Sequence, residues 1–300
     1  MKSSASFASI NEALHAAWHA QPALRSVQLE VVECTSSTNE VLLRQARQQA
    51  PTQPRVLIAL EQSAGRGRYG RSWHAAAGSG LLMSLAVPLR EPLRDGAVTL
   101  ACGVAVAEAL CARGVPVRLK WPNDLLLNDR KLARLLAEVA FAGSMHNTPM
   151  HTPPTHNTPT HTLVVGLGLN LRPTPMPSDR PSAALGSIAL SPISLSEVID
   201  IGVTETALAT WGTCMSVALL QSIEAVSHTG FAPWAARFNA LLGWRERAVV
   251  ALDAHTGATL AQGTVRGVDA QGRLLLDQQG QRLTLTNGDI SLRRTPQEAP

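Results

Sequence analysis

The sequence predicts an α/β (α+β) protein: a β-sheet flanked by helices, followed by a small β-barrel at the C-terminal end. Three observations carry that prediction. Apolar runs of strand length at 55–60 (RVLIAL) and 80–87 (GLLMSLAV) alternate with longer helical patterns. Beyond Gly243 the character changes to segments of five to seven residues separated by Gly, Asp and Asn turns. Hydrophobic residues make up 45% of the 300, enough for a sizeable core.

Taken in order, residues 1–30 form a lead-in with a helix over 10–19 and a turn at Pro22. Ser36, Ser37 and Thr38 open a second helix, because their hydroxyls can cap free N–H groups before the apolar pattern Val41, Leu42, Leu43, Ala46. A Gly/Arg-rich loop separates the strands at 55–60 and 80–87. An Ala-rich helix spans 95–113 and ends at Gly114, a residue suited to the position after a helix C-terminus. Strands are expected at 117–120, 125–127, 131–141 and 163–169. One long helical pattern, with room for a break, covers 196–226, and a shorter one covers 233–242. The short strands RAVVAL, GTVRGV, RLLLD, RLTLT and ISLRR complete the chain, so a boundary falls near Leu242.

Residues 146–162 (HNTPMHTPPTHNTPTHT) stand apart. His146, His151, His156 and His161 recur every five residues among four prolines and no charges. Such a low-complexity segment is expected to be a loop insertion between two strands. Imidazoles bind metals, but nothing in the segment would fix four of them in one geometry.

Composition excludes several classes. Charged residues are 16%, against roughly 25% in average soluble proteins, and the aromatics are only 6 Trp, 4 Phe and 1 Tyr. The core must therefore be built mainly from Leu, Val and Ala, and neither a disordered chain nor a disulfide scaffold fits. The net charge of +4 permits contact with phosphates without a basic tail that demands nucleic acid. Cys34, Cys102, Cys111 and Cys214 are scattered without a CxxC pair, as expected of free thiols in a reducing compartment. The N-terminus has no signal-peptide pattern, and no run approaches the ~18 apolar residues of a membrane span. A cytoplasmic protein is the expectation.

Four blocks carry chemistry. Directly after a strand comes Glu61-Gln62-Ser63-Ala64-Gly65-Arg66-Gly67-Arg68-Tyr69-Gly70-Arg71-Ser72-Trp73. Its glycines let backbone wrap a ligand, its arginines offer forked donors to carboxylate or phosphate, and Trp73 offers a flat stacking face. Next is Lys120-Trp121-Pro122-Asn123-Asp124 at a strand end, which alone would suit a tight turn. Third is Asp129-Arg130-Lys131-Leu132-Ala133, a basic pair entering a strand. Fourth is Gly166-Leu167-Gly168-Leu169-Asn170, where alternating glycine inside a strand signals close approach of a ligand or another segment.

In this order the four blocks resemble the biotin–protein ligases. The Ser37-Thr38-Asn39 block upstream matches that family too, as does Gly288-Asp289-Ile290-Ser291 near the end. The resemblance covers about residues 30–295. It implies a mixed sheet flanked by helices in a catalytic domain at 31–242, and an SH3-like barrel at 243–295. It also implies a two-step reaction. Biotin carboxylate attacks the ATP α-phosphate, giving biotinyl-5′-adenylate and pyrophosphate, and a lysine of a biotin carboxyl carrier domain then attacks the adenylate. ATP and biotin would be the substrates, with Mg²⁺ shielding the triphosphate. The carrier would belong to acetyl-CoA carboxylase or a related carboxylase.

The resemblance also assigns roles. Ser37, Thr38, Asn39 and Gln62 would hold the biotin ring system over a floor of Gly166 and Gly168. Arg66, Gly67 and Arg68 would cover biotin and the adenylate, with Arg68 counted among the catalytic groups and on the ATP side as well. Lys131 would be the catalytic cation between biotin carboxylate and phosphate. Arg71 would meet the triphosphate, and Trp73, Asn123 and Asn170 would lie on the adenine side. Asp124 is a candidate ligand for Mg²⁺ or a residue that orders the turn.

Two features depart from the family pattern. The insertion at 146–162 is unusual. The Lys-Leu-Ala triplet is commonly followed by a glycine that approaches biotin, and here that position is Arg134. On a regular strand Lys131, Ala133 and Leu135 share one face and Leu132, Arg134 and Leu136 the other. Alternation therefore aims Arg134 away from the lysine's ligand, toward solvent or an acid such as Glu138, with biotin affinity somewhat reduced. Some family members carry an N-terminal winged helix, and about 30 leading residues would not hold one, so no sequence-specific DNA binding is expected. Monomer and homodimer both remain open. A lipoate–protein ligase, and an RNA-binding protein using the GRGRYGR loop, are the rival readings; the scarcity of aromatics on the strands weighs against the second.

Overall fold

The structure is a computed structural model and describes residues 6–65, 73, 75–89, 97–142, 161–174, 190–286 and 290–295. Arg66, Gly67, Arg68, Arg71, Gly288 and Asp289, and residues 146–160 of the repeat, lie outside the described residues.

Helix α1 (Phe7–His19) begins three residues before its apolar pattern, because the Ser6 hydroxyl accepts a hydrogen bond from Ser9 N–H. Its stripe Ile10, Leu14 and Trp18 is buried, and the lead-in thereby shares the main core. Strand β1 (Gln28–Thr35) was not anticipated. It carries Glu30 and Glu33, lies half-buried at a sheet edge and pairs only with β2 (Arg55–Gln62), in parallel, so it lacks the apolar run by which β2 is recognised. Between them runs α2 (Thr38–Gln48).

The remaining strands of the first sheet are β3 (Gly80–Leu89), β4 (Arg118–Lys120), β5 (Asp124–Leu127), β6 (Arg130–Phe141) and β7 (His161–Asn170). Their order is β1-β2-β3-β7-β6-β5-β4, and every pairing after β1–β2 is antiparallel, so the sheet is mixed as expected. His161 and Thr162, the last residues of the repeat, belong to β7, and Thr162 is buried.

Helices α3 (Val98–Cys111) and α4 (Thr204–Thr229) complete the main core with α1. Gly114 has φ 79°, the left-handed conformation expected where α3 stops. The long pattern after 196 does break. A 3₁₀ turn (Leu195–Glu197) closed by a Ser194–Glu197 capping box precedes α4, and Gly202 at φ 69° lies between them. On the opposite face of the sheet, α2 is the helix that, among the described residues, packs Leu42, Leu43 and Ala46 on Leu57, Ala86, Ala140 and Val164. The cleft described below opens beside α2.

Helix α5 (Ala232–Leu241) leads to β8 (Ala248–Asp253), β9 (Thr259–Val268), β10 (Leu274–Gln278), β11 (Gln281–Leu285) and β12 (Ile290–Arg294). They form one antiparallel sheet in the order β11-β10-β9-β8-β12. The outer strands β11 and β12 are not paired with each other among the described residues, so the expected barrel is found at the level of a five-stranded sheet. This sheet is tied to the first. Trp121 Nε1 donates to Gly272 O at 3.0 Å, and Gly243 N–H donates to Leu119 O at 2.8 Å. No helix among the described residues is long and apolar enough to cross a membrane.

Candidate active site

Register decides what meets at the centre of the first sheet. Lys120 pairs with Asp124, Asp124 with Arg134, Arg134 with Gly168, and Gly168 with Leu82. Cross-strand partners project on one face, so these five residues form a row across five strands. A parallel row holds Ser84, Gly166 and Leu136. The two glycines leave a trough that side chains from outside the sheet enter. A Cβ at Gly166 would lie 2.3 Å from Asn39 Oδ1, and one at Gly168 would lie 2.6 Å from the Trp73 ring.

The trough opens into a cleft of about 360 Å³, part of which is open to solvent. Six residues expected around the biotin ring line it: Ser37, Thr38, Asn39, Gln62, Gly166 and Gly168. Trp73 lines it too, and its backbone N–H donates to Gly65 O at 2.8 Å, which joins the two ends of the Gly/Arg-rich stretch.

The expected hydroxyl cap on α2 is replaced by another device. Ser37 makes no side-chain cap, and Gln62 Oε1 instead accepts from Thr38 N–H at 2.7 Å. The start of α2 is thus fastened to the end of β2. Ser84, which sequence reasoning missed, is fully buried beneath these groups. Its hydroxyl lies 2.7 Å from Thr38 Oγ1 and 2.6 Å from Asn39 Oδ1. Asn39 Nδ2 donates to Glu138 Oε2 at 2.9 Å, so Glu138 serves Asn39 rather than Arg134. The available signal was the lone serine within the apolar run of β3.

Beyond Arg134, which lines the cleft, lies a cationic cluster. Asp124 is 6% exposed, and its Oδ1 receives Lys131 Nζ at 2.9 Å and Arg134 Nε at 2.8 Å, while Lys120 Nζ lies 3.4 Å from Oδ2. Burial pushes the Asp124 carboxyl up, but Lys131, Lys120 and Arg134 outweigh it and hold the group well below the usual carboxylate range. Both oxygens already face cations, which would repel a divalent ion, and no cluster of three acidic, His or Cys metal ligands occurs among the described residues. The site therefore does not fit the Mg²⁺ role considered for Asp124. Burial lowers the Lys131 ammonium to about 8, opposed by Asp124 and reinforced by Arg134 and Lys120. Burial likewise lowers Lys120, whose ammonium sits 4.9 Å from the Trp244 ring centroid.

Arg134 is not aimed away from Lys131, as strict alternation required. Leu125 pairs with Ala133 but Leu126 pairs with Lys131, leaving Leu132 as an extra residue. This bulge shifts the alternation by one, and Lys131 and Arg134 reach the same carboxylate oxygen.

The two asparagines expected near adenine are engaged with backbone. Asn123 Nδ2 donates to Leu135 O at 2.8 Å, and Asn123 does not line the cleft. Asn170 Nδ2 donates to Ile193 O at 3.0 Å and Lys131 O at 3.3 Å, bracing the lysine's own peptide. Lys131 N–H also donates to Ser191 O at 2.8 Å.

The Biotin/lipoate A/B protein ligase family matches residues 31–150, and the Biotin protein ligase C terminal domain matches residues 246–293. A biotin–[acetyl-CoA-carboxylase] ligase of Mycobacterium tuberculosis is 33% identical over 275 residues, covering 88% of each chain. The chain belongs to the biotin protein ligase family. A bifunctional ligase/repressor BirA of Salmonella typhimurium is 31% identical, over 90% of this chain and 76% of its own length. The fold matches that of a biotin protein ligase from Aquifex aeolicus solved with biotin and ATP, at a TM-score of 0.67 and 22% identity, over 89% of this chain and 99% of the other. Within the biotin protein ligase frame, the polar end of the cleft and the cationic cluster beside it border the same glycine floor.

Proposed function

We infer that this chain ligates biotin to a carrier-protein lysine at the expense of ATP. The observation that carries the reading is the polarity of the cleft. One end offers hydroxyl and amide groups from Ser37, Thr38, Asn39 and Gln62, suited to a ureido ring. Beside the other, where Arg134 lines the wall, three cations surround one carboxylate, an excess of positive charge suited to a carboxylate meeting a phosphate. In the first step a biotin carboxylate oxygen bonds to the α-phosphorus, and the bond to pyrophosphate breaks. In the second the carrier amine bonds to the acyl carbon, AMP leaves and the amine loses a proton.

Lys131 neutralises the two anions as they approach. Arg66, Gly67 and Arg68 cover the ligand, Arg71 meets the triphosphate, and Trp73 borders the nucleotide. Asn123 and Asn170 act through the backbone of β6, which they brace. Asp124 is the internal counter-ion. Mg²⁺ enters as part of the MgATP substrate. The partner is a biotin carboxyl carrier domain of acetyl-CoA carboxylase or a related carboxylase, and the C-terminal sheet is the SH3-like module. A reducing cytoplasm suits the buried free thiol of Cys102.

Incubating the full chain with MgATP, biotin and an isolated carrier domain should add one biotinyl group per carrier, read by intact mass. Modification with lipoate but not biotin would move the substrate to the lipoate branch. Because Lys131 titrates near 8, its charge is lost as pH rises through that value. Biotin adenylation should therefore decline along an alkaline limb centred there. A profile flat to pH 10 would detach the step from this ammonium.

Gly166→Ala should weaken biotin binding while the protein stays folded. The methyl group displaces Asn39 from Ser84 and Glu138, and losing the buried hydrogen bond it would offer the ring costs about 1–3 kcal/mol, about 5- to 150-fold in affinity. Calorimetric titration with biotin checks this, and unchanged affinity would remove Asn39 from the ring-binding end.

A further inference from the structure

Lys131 is engaged where it stands, with its ammonium on Asp124 Oδ1 at 2.9 Å, and it does not line the cleft, whereas Arg134 does. To centre that ammonium on a carboxylate in the cleft, Lys131 has to loosen its hold on Asp124. A buried carboxylate that loses a close cation is strongly disfavoured, so the exchange is favoured by a second close cation that stays behind.

Lys120 does not supply it. It lies on the other oxygen at 3.4 Å, is itself 8% exposed, and is held beside the Trp244 ring. Arg134 does, with Nε already 2.8 Å from Oδ1. Holding Asp124 through Nε needs no further movement of the guanidinium. Two cations on one oxygen also repel each other, which loosens the hold of Asp124 on the more mobile ammonium.

We propose that Arg134 is a positioning residue: by keeping hold of the Asp124 carboxylate, it frees Lys131 to pass its ammonium from Asp124 to the anion of the bound acid. The proposal rests on the ligase reading above and adds a residue to its first step. It reverses the expectation that Arg134 is a tolerated bystander. The departure of Lys131 leaves Asp124 paired, and three cations are then shared by two anions.

The test is a double-mutant cycle on the full chain, using Arg134→Gln and Lys131→Ala. Exchange of radiolabelled pyrophosphate into ATP, biotin affinity by calorimetry and melting temperature are measured for each. Arg134→Gln should lower kcat for exchange about tenfold, within the coupling range of contacting residues, with biotin affinity changed by less than about threefold. In the Lys131→Ala background the same change should cost less than about twofold, because Arg134 acts only through Lys131. Arg134→Lys should restore kcat to within about threefold of wild type. An equal loss in both backgrounds would overturn the proposal, as would a weaker biotin affinity at unchanged kcat, the mark of direct ligand contact. If the Gln variant melts below the assay temperature, the Lys variant decides: a loss beyond about tenfold at unchanged biotin affinity overturns it. Wild-type protein with no biotin-dependent exchange would sink the ligase reading and this proposal together, whereas exchange with an additive cycle sinks this one alone.

Discussion

Lys131→Ala is expected to lower the rate of biotinyl-adenylate formation by about 10²–10³, the usual cost of removing a group that stabilises developing charge. The lysine stands beside the cleft, 5.5 Å from the Trp73 ring and braced through its peptide by Asn170 and Ser191. Without it, biotin carboxylate and the triphosphate approach each other with no mobile positive charge between them. Biotin itself should still bind, because the groups that hold its ring lie at the polar end of the cleft. Rapid-quench measurement of the adenylate reads the effect. A variant within twofold of wild type would make Lys131 an edge charge with no part in the step.

Asp124→Asn is expected to be the most destabilising single substitution at this site. It removes the one carboxylate facing Lys120, Lys131 and Arg134, and leaves buried cations without their counter-ion. Breaking one side of a buried ion pair typically costs about 3–5 kcal/mol. Urea denaturation measures the loss. The pH dependence has a definite sign. The folded carboxyl is held well below its ordinary value of 3.8, so its contribution is present in full above that value. It is lost only as pH falls below 3.8 toward the depressed folded value, and the Asn variant should lack that part of the acid limb. A variant as stable as wild type across this range would show that the three cations need no counter-ion.

Much of this site was legible in the sequence because its parts are local. Gly166 and Gly168 stand out as alternating glycines within an apolar strand, and Ser37-Thr38-Asn39 as a polar helix start, and the fold brings all five to one cleft. What the sequence did not disclose depends on pairing between strands. The bulge at Leu132 exists only in the register of β6 against β5, and a one-residue shift reverses every face beyond it. That is why Arg134 was placed on the wrong side. Strand β1 escaped notice because it is a half-buried edge strand that carries Glu30 and Glu33 and lacks a continuous apolar run. Asn123 and Asn170 were legible as important but not as to target, since a side-chain amide serves backbone and ligand alike.

Exchange of pyrophosphate into ATP by the purified chain, with biotin, lipoate or no acid added, puts the activation of biotin to the test at its first chemical step. Exchange should appear with biotin, disappear without it and fall to near background in Lys131→Ala. Exchange that is absent with biotin, or equally fast with no acid present, would contradict the assignment of this cleft to biotin activation.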